Sequence, residues 1–236
     1  MTARRPSLVL LPGLLCDAAL WAPQIAALAD IAEPRVGDVT QDESVAAMAA
    51  RILAEAPPRF ALAGLSMGGY VALEIMATAP ERVERLALLD TSARADAPEQ
   101  TRRRQGLIDL AGRGQFRGVT PRLLPMLIHP SRLEDAALTG VVMEMAERVG
   151  KDAFLRQQRA IMGRRDQRGL LPSIQIPTLV ACGADDALTP LELSRELAAG
   201  IATSRLATIA TCGHLSTIER PEQVNDALRR WLQAGD

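Results

Sequence analysis

Residues suited to covalent chemistry cluster in Gly64-Leu65-Ser66-Met67-Gly68, with Gly69 extending the run. A serine hydroxyl attacks a carbonyl only when a base removes its proton. The 236-residue chain offers two histidines. His129 lies in Leu127-Ile128-His129-Pro130 and His214 in Thr211-Cys212-Gly213-His214. An imidazole base needs a carboxylate that fixes its tautomer and stabilises its charged form. Gly183-Ala184-Asp185-Asp186 supplies two candidates, followed by Thr189-Pro190. The chemistry these types permit is acyl transfer through an activated serine. A G-x-S-x-G run alone is a weak sign, since a glycine-rich turn with a serine helix cap has the same letters. The elements around it decide.

Short apolar runs alternate with helical patterns through the first 89 residues. Ser7 to Leu11 reads as a buried strand ending at Pro12-Gly13, and Ala18 to Leu28 as a helix. Ala32 to Val39 is a weaker strand. Ser44 can cap a helix that runs to Ala56 and stops at Pro57-Pro58. Phe60 to Gly64 and Val83 to Leu89 read as strands, with a helix from Met67 to Ala79 between them. Strands of this kind are apolar on both faces, so the pattern predicts a parallel sheet with helices on both sides. From about 92 to 173 no strand is predicted, only Arg/Glu-rich helical segments. Alternation resumes with a strand at Pro177 to Gly183, a helix at Leu191 to Ala199 and a strand at Arg205 to Ala210. A last helix, Pro221 to Leu232, has proline in its first turn.

Ser66 therefore sits between a predicted strand and a predicted helix, where a tight turn would push its hydroxyl clear of the sheet. Side chains at Gly64 and Gly68 would collide across that turn. The helix beginning near Met67 aims its free amides and dipole at the same place. Open parallel sheets build their sites at the carboxyl ends of strands. His214 follows the last strand and so shares an edge with Ser66. His129 falls in the helical stretch, as a surface or lid residue.

The net charge of −1 argues against a nucleic-acid partner. Arg102, Arg103 and Arg104 read as a solvated face. Cys16, Cys182 and Cys212 are too few and too scattered for a disulfide framework or a zinc site. The basic start, Met1 to Arg5, precedes an apolar run too short to span a membrane and broken by Pro12-Gly13. The expectation is a soluble cytoplasmic protein with no membrane partner.

On these residues the chain resembles the α/β-hydrolase superfamily along essentially its whole length. The chain order Ser, Asp, His is the order of that fold. The resemblance implies Ser66 as nucleophile and His214 as base. It implies Asp186 as the acid, three residues after Gly183 and four before Pro190; Asp185 is the runner-up and Asp90 a remoter option. The segment from Gly213-His214-Leu215 to Glu219-Arg220-Pro221 looks like the family's histidine loop. An oxyanion hole would use the Met67 amide and, by resemblance, the Leu14 amide. Many relatives have His-Gly where this chain has Pro12-Gly13, which leaves the amide available. The family's opening antiparallel hairpin has no room before Ser7, so about six parallel strands are expected. Residues 1–91 and 174–236 would form the core, and 92–173 a helical cap over the site. Leu123 to Ile128, with Met143, Met145 and Met162, could line an acyl pocket. Leu14, Leu15, Trp21, Met67, Leu127, His129 and Leu215 are the remaining candidates for substrate walls.

The expected activity is hydrolysis of a carboxylic ester or related acyl bond through an acyl-enzyme, on a small-molecule substrate with water. No metal or organic cofactor is implied. Enol-lactone, thioester and carbon–carbon bond hydrolysis, and cofactor-free peroxidation, belong to the same resemblance. Serine at 66 argues against a haloalkane dehalogenase, which would carry a carboxylate there. The rivals of another kind are a ligand-binding protein that has lost catalysis on this fold, and an interaction scaffold with the cap as its docking surface.

Overall fold

A computed structural model describes residues 5–234. Met1 to Arg4, most of the basic start of the sequence, lie outside the described residues. Six strands form one parallel sheet in the order β2-β1-β3-β4-β5-β6. They are β1 (Ser7–Leu11), β2 (Glu33–Val36), β3 (Phe60–Leu65), β4 (Val83–Leu89), β5 (Thr178–Gly183) and β6 (Ser204–Ile209). The helices are α1 (Ala22–Leu28), α2 (Val45–Glu55), α3 (Met67–Thr78), α4 (Pro98–Leu110), α5 (Leu124–Leu127), α6 (Ala136–Met162), α7 (Leu191–Gly200), α8 (Ser216–Glu219) and α9 (Pro221–Gln233). No helix among the described residues is long and apolar enough to cross a membrane.

The central strands show why their sequences read as unbroken apolar runs. Along β1, Leu8 and Leu10 enter one core cluster while Val9 and Leu11 enter the other. In β3, Ala61, Ala63 and Leu65 face the first cluster, and Phe60 and Leu62 the second. Successive side chains point to opposite faces of a strand, so covering both faces requires apolar residues at every position. The edge strands differ. β2 is four residues long, contains Pro34 and is half-exposed, and β6 shows several exposed residues. Short, polar or proline-bearing edges resist pairing with another chain.

The stretch expected as one helix from Ala18 to Leu28 divides. Asp17 caps a 3-10 turn over Ala18–Trp21 by accepting from the Ala19 amide at 2.9 Å, and α1 starts afresh with Pro23 at its second position. Proline has no N–H to give and is tolerated only at a helix start. Ser44 caps α2 as expected, accepting from the Ala47 amide at 3.1 Å.

Between β4 and β5 the described chain is helical, ending in a 3-10 segment at Arg168–Ser173. This stretch shares the sheet's cores. Leu124, Ile128, Leu138, Val142 and Met145 pack into one cluster, and Ala160, Ile161 and Leu171 into the other. The chain runs left from β1 to β2, then returns to pair β3 on β1's other side. That reversal is the switch point of a doubly wound sheet, where ligands bind beyond the strand ends.

Candidate active site

Ser66 stands at the switch point, directly after β3. Its backbone is held at φ 55°, ψ −115°, outside the conformations a serine prefers. Bonds to its backbone hold it there, the Tyr70 amide donating to its carbonyl at 3.3 Å among them. Its amide donates to the Leu89 carbonyl at 3.0 Å, continuing the ladder to β4. Its carbonyl accepts from the Gly69 amide at 2.9 Å and from the Thr91 hydroxyl at 2.7 Å. The side chain makes no capping bond to α3, so the hydroxyl is not spent on the helix.

The glycines permit the turn in a more specific way than expected. A Cβ on Gly64 would lie 2.3 Å from the Gly68 carbonyl oxygen, the collision anticipated across the turn. A Cβ on Gly68 would instead lie 2.1 Å from the Leu11 carbonyl oxygen, so this glycine lets α3 approach β1. Four non-glycine residues among those described have positive φ: Leu15, Ser66, Asp90 and Thr211. Each follows the carboxyl end of a strand, so backbone strain is concentrated on the edge that carries the candidate site.

His214 and Asp186 meet on the same carboxyl edge of the sheet, beyond β6 and β5. Both are buried. The His214 Nδ1 lies 2.8 Å from an Asp186 carboxylate oxygen, which leaves Nε2 as the ring nitrogen free to act as base. Asp186 also accepts from the Leu188 amide at 2.8 Å, the Thr189 amide at 2.9 Å and the Thr189 hydroxyl at 2.6 Å. Burial works against the charged forms of both partners. For His214, the charge and hydrogen bond of Asp186 outweigh burial and hold its pKa above the ordinary imidazole value. For Asp186, the His214 charge and bond, with the Thr189 donors, hold it below the usual carboxylate range. The pair is built to exist as imidazolium and carboxylate once a proton arrives.

Asp185 turns elsewhere. Its side chain is half-exposed and lies 3.6 Å from Nε2 of His129. The His129 ring also accepts from the Ser131 amide at 3.1 Å. His129 is thus part of a local turn on the helical stretch. Asp90 is also buried, with a carboxylate oxygen within 4.8 Å of one of Asp186.

The loop after β1 comes against Ser66. A Cβ on Gly13 would be 3.4 Å from the Ser66 Cβ. Met67 opens α3, so its amide has no acceptor within the helix. Leu15, at φ 59°, gives its amide to the Gln157 side chain at 3.1 Å, and Gln157 in turn donates to the Val39 carbonyl at 3.2 Å. Leu15 packs with Ala111, Ala146 and Phe154 of the helical stretch, next to Phe116. Leu215 is buried, and Trp21 lies at 0% exposure inside the core cluster rather than on an open wall. Leu127 contributes its backbone: its carbonyl accepts from the amides of His214 and Leu215, each at 3.0 Å. Met145 is fully buried in the core. A cavity of about 260 Å³ lies to one side, between α2, α3 and the loop after β4, and none of Ser66, Asp186 and His214 lines it.

Several residues matter here that the sequence reading did not single out. Glu219, fully buried, accepts from the Gly213 amide with one oxygen and from the His129 amide, at 2.6 Å, with the other. It ties the histidine loop to the helical stretch. Thr189 was legible in principle, because an aspartate three residues before Thr-Pro is a common way to close a turn. Nothing in the letters marks Gln157, since its partners lie more than a hundred residues away. Asp90, Cys182 and Asp186 bring their ligand atoms within 4.8 Å of one another. Asp186 spends its oxygens on four donors, and burial pushes the Cys182 thiol far above its ordinary value, toward the protonated form that does not bind metal.

A doubly wound parallel sheet with a strained serine after β3, an aspartate after β5 and a histidine after β6 defines a class of scaffold. The chain belongs to the family described as the alpha/beta hydrolase fold, whose sequence model matches residues 31–221. It is 31% identical over 252 residues to a protein of Serratia proteamaculans named carbamate hydrolase RutD, covering 98% of this chain and 92% of that one. A thermophilic esterase from Thermogutta terrifontis superposes with a TM-score of 0.88 at 27% identity, covering 97% of this chain and 89% of the esterase. The enol-lactonase of Burkholderia xenovorans LB400 gives the same TM-score at 25% identity, covering 98% and 92%.

Proposed function

We propose that the chain is a serine hydrolase that cleaves a carboxylic ester or related acyl bond of a small molecule. The observation that carries this reading is the buried Asp186–His214 pair, with one imidazole nitrogen free, on the strand edge where the Ser66 turn meets the loop after β1. Ser66 Oγ attacks the carbonyl carbon while His214 takes its proton. Negative charge develops on the carbonyl oxygen and is met by the Met67 and Leu14 amides. His214 passes the proton to the leaving oxygen as the bond breaks, leaving an acyl-enzyme. Water then attacks the acyl carbon and gives a proton to His214; the bond from that carbon to Ser66 Oγ breaks, His214 returns the proton to Oγ, and the carboxylic acid leaves. Residues 92–173 act as a cap whose apolar side chains meet the acyl group. The reaction calls for no metal or organic cofactor. The names of the relatives fit this chemistry, since esters, enol-lactones and carbamates all present a carbonyl to a nucleophile.

Ser66→Ala tests it. Turnover of p-nitrophenyl esters should fall by about 10⁵-fold or more, with the fold intact by circular dichroism. The native protein should react quickly with a fluorophosphonate and the variant should not. Retained hydrolysis in the variant would sink the assignment, and an unlabelled native protein would favour a ligand-binding role.

A further inference from the structure

The proposed hydrolysis does not use a second buried carboxylate. Asp90 follows β4 directly, is fully buried and is held at φ 46°. Its Oδ1 accepts from the Gly183 amide at 2.8 Å, at the end of β5 where the loop bearing Asp186 begins. Its Oδ2 meets the hydroxyl of Ser216, two residues beyond His214. One side chain thus bridges the two loops whose meeting makes the Asp186–His214 pair. The ionisable groups that face it are Cys182 from β5, Asp186 from the acid loop and His214 from the histidine loop, with Cys212 further off.

Two buried carboxylates this close cannot both ionise cheaply. Asp186 has four donors, including the imidazole, whereas Asp90 has one amide, one hydroxyl and the weakly donating Cys182 thiol. A hydroxyl can accept from a carboxylic acid as well as donate to a carboxylate. Burial and the Asp186 charge push Asp90 up to about 8, against the weaker pull of His214 and Ser216. The contest goes to Asp186 as the anion.

We propose that Asp90 is a positioning residue that fastens the acid loop to the histidine loop as a neutral carboxylic acid, with its O–H directed in a hydrogen bond to the Ser216 oxygen. Its effect on turnover rests on the Ser66–His214–Asp186 reading, while its effect on stability does not. Because its folded pKa lies above its unfolded value, the folded protein holds a proton that the unfolded chain would release. Stability from this group is full below the unfolded pKa and is lost as pH rises toward about 8. An amide has the same donor and acceptor, needs no proton from solution and suits the left-handed backbone.

The experiment compares Asp90→Asn and Asp90→Ala with the native protein. Asp90→Asn should have the higher Tm, by a margin that widens from pH 5 to pH 8. Asp90→Ala should lose about 10- to 100-fold in kcat with KM within about twofold, and asparagine should restore that loss. A Tm for Asp90→Asn at or below the native value at pH 8, or a kcat as low as that of alanine, would show that the residue works as an anion and overturn the proposal. If Asp90→Ala does not fold, Ser216→Ala removes the same bridge, and an unchanged kcat there would equally overturn it. Repeating the Tm series in Ser66→Ala separates the two readings: hydrolysis surviving Ser66→Ala removes the triad, while the Tm margin still reports on Asp90.

Discussion

Replacing Gln157 by leucine tests whether the helical stretch sets the geometry of the loop after β1. Gln157 is fully buried in α6, and its amide joins the Leu15 amide to the Val39 carbonyl. Leucine keeps about the same volume, so the main loss is two hydrogen bonds. Both stranded groups lie on buried residues. At about 1–3 kcal/mol for each unsatisfied buried group, the cost is roughly 2–6 kcal/mol, offset by about 1 kcal/mol from the added apolar surface. The chemistry should respond separately. Leu15 holds a left-handed backbone that persists only while its surroundings enforce it. Released, it would shift the neighbouring Leu14 amide, the proposed oxyanion donor, out of position. Complete loss of one such donor costs about 10²–10³ in kcat, so partial misplacement should cost about 10- to 100-fold. KM should change little, because the donor acts on the transition state. Urea unfolding and steady-state kinetics on a p-nitrophenyl ester measure the two effects. A lower urea midpoint with kcat unchanged within about twofold would refute the link between this glutamine and the oxyanion loop.

Further expectations follow from the same geometry. Activity should rise with pH as His214 loses its proton, with a midpoint above the ordinary imidazole value because Asp186 holds the charged form; a midpoint at or below about 6.5 would contradict the pair as described. Asp186→Asn should lower kcat by about 10⁴-fold. The stabilising contribution of Asp186, whose pKa is depressed, is lost as pH falls through its folded value; that of His214, whose pKa is raised, is lost as pH rises through its own. The native Tm advantage over Asp186→Asn should therefore be greatest between about pH 4 and 6.5, and a flat difference would count against the linkage. Two glycines make a paired stability test. Gly64→Ala drives a Cβ to 2.3 Å from a backbone oxygen that has no side chain to yield, and should destabilise by about 3 kcal/mol or more. Gly106→Ala, in α4 with nothing within 4 Å, should stabilise by about 0.5–1 kcal/mol. Thermal denaturation that ranks them in the opposite order would show the packing to be misread.

Much of the sheet was legible because parallel strands must be apolar on both faces. β1 and β4 fall on the expected residues, and β3, β5 and β6 differ only at their ends. β2 was less clear and is shorter than expected, since an edge strand has one paired side and carries polar residues and proline. The candidates Ser66, Asp186 and His214 stood out by local punctuation: glycine after a strand, proline before a helix, histidine just past the last strand; the sequence also placed the latter two on the edge where they meet. The bridging residues were not. Gln157, Glu219 and Ser216 act through partners brought near only by the closed topology, and no spacing rule records such contacts. Trp21 shows the limit from the other side, because nearness to a motif along the chain did not place its ring on an open wall.

The distribution of these bridges bears on how the site keeps its shape. The acid loop leaves β5 and the histidine loop leaves β6, so the sheet fixes only where each begins. Asp90 ties both loops to the end of β4 from below. From the helical stretch, the Leu127 carbonyl holds the His214 and Leu215 amides, and Glu219 joins Gly213 to His129. Gln157 does the same for the loop after β1. Every candidate catalytic loop except the Ser66 turn is therefore bonded to a residue of the helical stretch 92–173 or to Asp90. Ser66 is held instead by β4, Thr91 and its own helix. Displacing the helical stretch would leave the serine in place while loosening His214, the proposed base, and the loop that carries the proposed oxyanion donor. A change there should accordingly appear in the rate of acyl transfer before it appears in the integrity of the nucleophile's turn.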